Sequence, residues 1–179
     1  MNRYAFLLLA VMLLAGGALR AQSVDESHAT SITISPFHLT TPIVEITVER
    51  RVAPSAGMAG ILGVGSYEGY TVFELGASYR YYLIGDFDHG MQVGGELLYV
   101  NASGDTPDNT LSDVSNGLGL SPFIGYKYAA GFGLTVELQG GVTLLVAGRK
   151  ISHNPSGQSA SGEGAAIGPL VNINFGWSF

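Results

Sequence analysis

The residues best equipped for chemistry are Glu45, Glu49, Glu74, Arg80, Glu96, Lys127 and Glu137. Each falls on the polar phase of a segment that alternates apolar and polar residues. Carboxylates held near bases can relay protons or hold ions. In a narrow interior the same groups act as a salt-bridged filling, because each buried charge needs a partner or trapped water. Arg80 and Lys127 are available to neutralise the five glutamates, which leaves an acidic surplus that calls for water. The bland expectation, a charge network that fills the lumen of a barrel, outweighs an ion or proton path.

The remaining candidates are weaker. His28, His38, His89 and His153 are scattered, with no pair at metal-ligand spacing. His153 and Ser156 stand three residues apart in SHNPSG, where a base and a nucleophile would have to touch to react. A Ser/Gly-rich loop gives no reason to expect that contact. Asp105, Asp108 and Asp113 offer oxygen ligands but not the spacing of a calcium loop. GVGSYEG lacks the glycine spacing and following helix of a phosphate-binding loop. No catalytic, cofactor or metal site is expected, and the chain reads as a non-enzyme.

What must position the charged residues is a set of strands. The 179 residues suit one domain; only 12% are charged, and 26 are glycine. Interior helical glycine costs about 1 kcal/mol relative to alanine, so this composition disfavours helices. Cysteine is absent, which excludes disulfides and thiolate ligands. Arg3 ahead of AFLLLAVMLLAGGA (Ala5–Ala18) reads as a signal peptide over 1–21, cleaved after Ala18 or Ala21. Without Arg3 and Arg20 the chain carries 6 basic and 14 acidic residues, or −8, which argues against nucleic acid. No other apolar run approaches the ~20 residues of a helical span.

A polar lead at 22–29 precedes eight segments of period two: Thr30–Phe37, Ile43–Val52, Met58–Tyr67, Tyr70–Ile84, Met91–Val100, Leu118–Tyr128, Leu134–Val146 and Ala166–Phe179. Met58–Tyr67 is ambiguous in facing. APSAG, GDFDHG and AAGFG are short turns, whereas NASGDTPDNTLSDVSNG and GRKISHNPSGQSASGEG are expected as two long polar loops.

Alternation alone fits a soluble barrel or a membrane barrel, which are inverses of each other. The polar phase decides the expectation. It is small and neutral (Gly76, Gly94, Ser121, Asn172, Asn174) apart from the seven charges, as the inside of a narrow barrel requires. A lipid-facing charge costs ~2–4 kcal/mol at the midplane, which accounts for apolar phases free of charge except at Arg50, a strand end. Short turns at one end and long loops at the other, with aromatics near the strand ends, complete the pattern. The expected fold is an all-β, eight-stranded antiparallel up-and-down transmembrane β-barrel over 30–179.

The signal peptide, the alternating strands and the ending NINFGWSF resemble small outer-membrane β-barrel proteins of Gram-negative bacteria, of the OmpX, OmpW and OmpA-barrel type. ITISPF and IVEITVERRV also resemble the start of uncharacterised outer-membrane β-barrel domains. The resemblance implies that Val171, Ile173, Phe175, Trp177 and Phe179 form a C-terminal signal for the β-barrel assembly machinery. It further implies a monomer in the bacterial outer membrane, surrounded by lipid. Deacylases of the PagL type share the barrel but carry H-x-S, not the H-x-x-S found here. The expected role is structural or surface recognition through the two long external loops, with a plugged lumen. The alternatives are a conduit for small apolar molecules and a soluble periplasmic lipocalin-like binding barrel.

Overall fold

A computed structural model describes residues 28–36, 43–67, 70–105, 111–153 and 158–179; the expected signal peptide lies outside them, as does the polar lead up to residue 27. The described chain forms β1 (Thr30–Ser35), β2 (Ile43–Ala53), β3 (Ala56–Tyr67), β4 (Tyr70–Gly85), β5 (His89–Asp105), β6 (Leu111–Ala129), β7 (Leu134–His153) and β8 (Gln158–Ser178). Each strand pairs antiparallel with its sequence neighbour, and β1 closes the ring onto β8.

The register gives the stagger of the barrel. A walk across paired residues runs Ile34, Ile46, Leu62, Leu75, Tyr99, Leu118, Val146, Ala165. Ile34 also pairs directly with Phe175, ten residues beyond Ala165 along β8. A stagger of this size on eight strands implies a tilt of roughly 35–45° and an interior that side chains can just fill. The closing seam is short. Ser31–Ile34 pair with Phe175–Ser178, the Ala29 and Thr30 amides donate to the Phe179 carbonyl, and the Phe179 amide donates to Thr30.

The alternation resolves inside out. Ser31, Thr33, Glu45, Thr47, Gln139 and Asn174 are buried, while Ile34, Leu75, Leu97, Leu120, Leu138 and Val171 are exposed. β3, ambiguous in sequence, turns Ala59 and Ile61 inward and Met58 and Val64 outward. Arg50 is exposed close to the end of β2 and pairs with Thr30 and Met58. Pro122 and Pro169 both lie in strands and face outward. A proline has no N–H for the ladder, and the β6–β7 pairing is interrupted between Leu120↔Leu144 and Phe123↔Gly141.

Two expectations about extent are corrected. The stretches expected as long loops are largely strand: β5–β6 pairing runs out to Asp105↔Ser112, and β7–β8 pairing to His153↔Gln158. Loop-like composition (Gly, Ser, Asn, Asp) is a weak preference that an already registered neighbour overrides. β5–β8 therefore rise beyond β1–β4 as a taller wall. Conversely, β1 ends at Ser35, short of the expected Phe37, which lies outside the described residues.

Candidate functional site

The site is the lumen, built in layers from the end that carries the short turns Pro54–Ser55, Asp86–Asp88 and Ala130–Gly133. All seven charged residues singled out above are buried in it. They belong to five strands, β2, β4, β5, β6 and β7, so only ring closure brings them together.

Arg80 and Lys127 organise the first layer. Arg80 Nη1 donates to both Glu137 carboxylate oxygens at 2.8 Å and to Glu49 Oε2 at 3.2 Å, while its Nε donates to Ser78 Oγ at 3.1 Å. Lys127 Nζ donates to the same Glu49 oxygen at 2.8 Å, and the Tyr82 hydroxyl donates to Glu49 Oε1 at 2.7 Å. Two amides complete Glu137, from Gln92 at 2.5 Å and Gln139 at 2.6 Å. Each carboxylate thus meets cations and neutral donors together, which a buried charge requires if its lost hydration is to be replaced.

Glu45 accepts from Thr47 Oγ1 and Asn172 Nδ2, each at 3.2 Å, and the Ser35 hydroxyl donates to Asn172 Oδ1. Further from the turn end the filling becomes apolar. Ile43 lies six residues beyond Glu49 on β2, Leu98 six beyond Gln92 on β5, and Leu170 four beyond Asn174 on β8; all are buried, as are Ile61 and Phe123. Glu74 sits beside Ile43 at the Gly63 position, among this apolar collar. Several amide atoms within the lumen have no hydrogen-bond partner: Gln92 Oε1, Gln139 Oε1, and both Oδ1 and Nδ2 of Asn174.

Sequence reasoning missed the closure at the turn end. GDFDHG reads as a solvent turn, yet Phe87 is completely buried. Its ring lies 3.6 Å from Lys127 Nζ, centroid to nitrogen, and packs edge-on to Tyr82 at 6.1 Å. A desolvated cation–π contact of this kind stabilises by ~2 kcal/mol. Three elements hold the turn in place. Asp86 Oδ1 accepts from the Asp88 and His89 amides, the Ala129 amide donates to the Asp88 carbonyl, and the Asp88 carboxylate accepts from His28. His28 bonds Asp88 twice, through its backbone N at 3.1 Å and its ring Nδ1 at 2.9 Å. Gly85 permits the entry to this turn by adopting a positive φ of 90°.

The other candidates are dispersed. The His153 backbone pairs with Gln158, whereas Ser156, Asp108 and His38 lie outside the described residues. Asp113 pairs with Gly104 in the β5–β6 ladder, and Asp105 with Ser112. Among the described residues no group of three His, Cys, Asp or Glu side chains is arranged to hold a metal ion.

Fold and site together define a class: a closed, eight-stranded antiparallel barrel with a polar, ion-paired lumen and an apolar exterior. No family model matches the chain, nor does any curated protein or solved structure.

Proposed function

We propose that this chain is a small integral outer-membrane β-barrel of bacteria, exported by its N-terminal segment, with a structural or surface-presenting role. One observation carries the reading: the buried face is polar and the exposed face apolar, the reverse of a water-soluble barrel. An exterior of Leu75, Leu97, Leu120, Leu138 and Ile173 in water would expose far more contiguous apolar area than soluble monomers carry. Closure also satisfies the ladder around the ring, which a lipid surrounding demands.

Finer features support the same reading. Tyr79, Tyr81, Tyr126, Tyr128 and Trp177 are exposed toward the turn end, as an interfacial aromatic belt would be. On β5 and β6 the outward apolar row gives way to Asn101 and Asn116, where Asn101 Nδ2 and the Tyr99 hydroxyl both donate to Asn116 Oδ1. The polar extensions of β5–β8 then stand beyond the band and, in place of the long loops, form the surface offered to the exterior. The outward row Val171, Ile173, Phe175 and Trp177, ending at Phe179, serves as the assembly signal, as in the outer-membrane barrels that the ending resembles.

Membrane fractionation combined with a gel shift between unboiled and boiled samples tests the proposal. Partition with outer membranes and a shift on boiling are expected; a soluble periplasmic protein without a shift would sink it. Deleting Phe179 should lower insertion more than shortening either tip between β5–β6 or β7–β8. The soluble lipocalin-like alternative is disfavoured by the polar lumen. The conduit alternative is disfavoured by the packed charge layer, and planar-bilayer conductance well above background would revive it.

A further inference from the structure

We infer that the β4–β5 turn is a releasable stopper that closes an acidic, cation-accepting lumen, with Phe87 as the plug and His28–Asp88 as the clasp. Three observations meet here. The first is the charge enclosed: five carboxylates (Glu45, Glu49, Glu74, Glu96 and Glu137) share the lumen with two cations, Arg80 and Lys127, a formal surplus of −3. The second is the set of bare acceptor oxygens on fully buried amides: Gln92 Oε1, Gln139 Oε1 and Asn174 Oδ1. Carbonyl and carboxylate oxygens are the ligands that small hard cations take, so these oxygens give the lumen the chemistry to accept a small cation once the stopper is released.

The third observation is that the turn, not the ring, closes this space. Strand pairing spans the wall whether or not Phe87 points inward. The plug is held by contacts at its own edge: the ring on Lys127, the Ala129 amide on the Asp88 carbonyl, and two His28 donors on one carboxylate. His28 lies ahead of β1 and outside the barrel ladder. The clasp can therefore open without breaking a strand, and opening uncovers Lys127, Tyr82 and Glu49. At the other end, the buried side chains of Ile43, Ile61, Leu98, Phe123 and Leu170 form a largely apolar collar, with Glu74 its charged member. The stopper belongs to the barrel whichever solvent surrounds it, so its test does not depend on where the protein resides.

The absence of cysteine makes a single reporter thiol unambiguous. Gln92→Cys places one in the charge layer of the refolded, detergent-held barrel, and Gln139→Cys is a second, independent reporter. Each is reacted with the cationic 2-aminoethyl methanethiosulfonate and the anionic 2-sulfonatoethyl reagent, after the boiling shift confirms folding. Slow labelling by both reagents is expected with the stopper intact. Adding Asp88→Ala removes both His28 hydrogen bonds to the carboxylate and should raise the cationic rate about tenfold or more, since loss of even one charged hydrogen bond shifts the open population that far. Phe87→Ala should raise it further, with the anionic reagent lagging in both. Unchanged cationic rates in Asp88→Ala and Phe87→Ala at both reporters would overturn the stopper. Equal acceleration of the anionic reagent would overturn the cation preference.

Discussion

A Cβ added at Gly94 would run into the Phe123 ring and come within 2.6 Å of the Tyr79 carbonyl oxygen; one added at Gly164 would meet nothing within 4 Å. Both glycines lie in strands of the same barrel. Around the charge layer and collar the pattern of Gly94 repeats: Gly57 gives way to the Glu49 carboxylate and Gly63 to Glu74, at 2.7 Å. On the upper part of β8, Gly162 resembles Gly164. At inward positions of the lower barrel glycine is therefore the space in which a neighbouring side chain lies, whereas the outward Gly60, Gly95 and Gly140 meet nothing within 4 Å. Above, it borders an open concavity of about 420 Å³ formed with Ser115, Leu145 and Ala147. The difference follows from the strands. The lower ring has eight walls at close quarters, whereas the extensions of β5–β8 rise with no counterpart among the described residues of the shorter strands facing them.

Substitutions can break or sharpen this contrast. The largest effect is expected at Arg80→Ala, which strands Glu137 and removes one of two cations from Glu49. Breaking a buried pair in this way costs ~3–5 kcal/mol, read from the urea midpoint of the folded barrel. Next comes Leu138→Arg on the exposed face. A lipid-facing site predicts a loss of ~2–4 kcal/mol in bilayers, and a change within about 0.5 kcal/mol would place that face in water. Gly94→Ala should then cost ~1–3 kcal/mol through overpacking against Phe123. The smallest effect belongs to Gly164→Ala, expected to lie between neutral and a gain of about 1 kcal/mol, since the added methyl meets open space and restricts the unfolded chain. Equal penalties at Gly94 and Gly164 would remove the distinction between the two regions.

Much of the lower barrel was legible in the sequence, for a physical reason. A period of two assigns each residue to one face once the first is assigned. Restricting charge to one phase therefore identified Glu45, Glu49, Glu74, Arg80, Glu96, Lys127 and Glu137 as interior before any fold was known. Tyr82 and Gln92 carried the same signal, being polar-phase neighbours of those charges. The upper barrel was misjudged because its strands are polar on both faces. Asn101–Asp105 and Gly148–His153 have no apolar row to mark them, and their pairing is visible only in the continuation of the ladder. Phe87 left no periodic signal at all. A turn residue has no strand phase, so nothing local distinguishes an aromatic that folds into the lumen from one that faces solvent.

The sequence by itself determined the faces: alternation and charge sorting are local properties, carried along each strand by backbone geometry. The stagger of ten residues, the partners of each glutamate and the inward turn of Phe87 were decided only by the tertiary structure. Each depends on closing the ring, which sets β2, β4, β6 and β7 around one space. Only in that enclosed space does a lysine shared with Glu49 need a ring to cover it, and only there can His28 reach Asp88, sixty positions away in the chain.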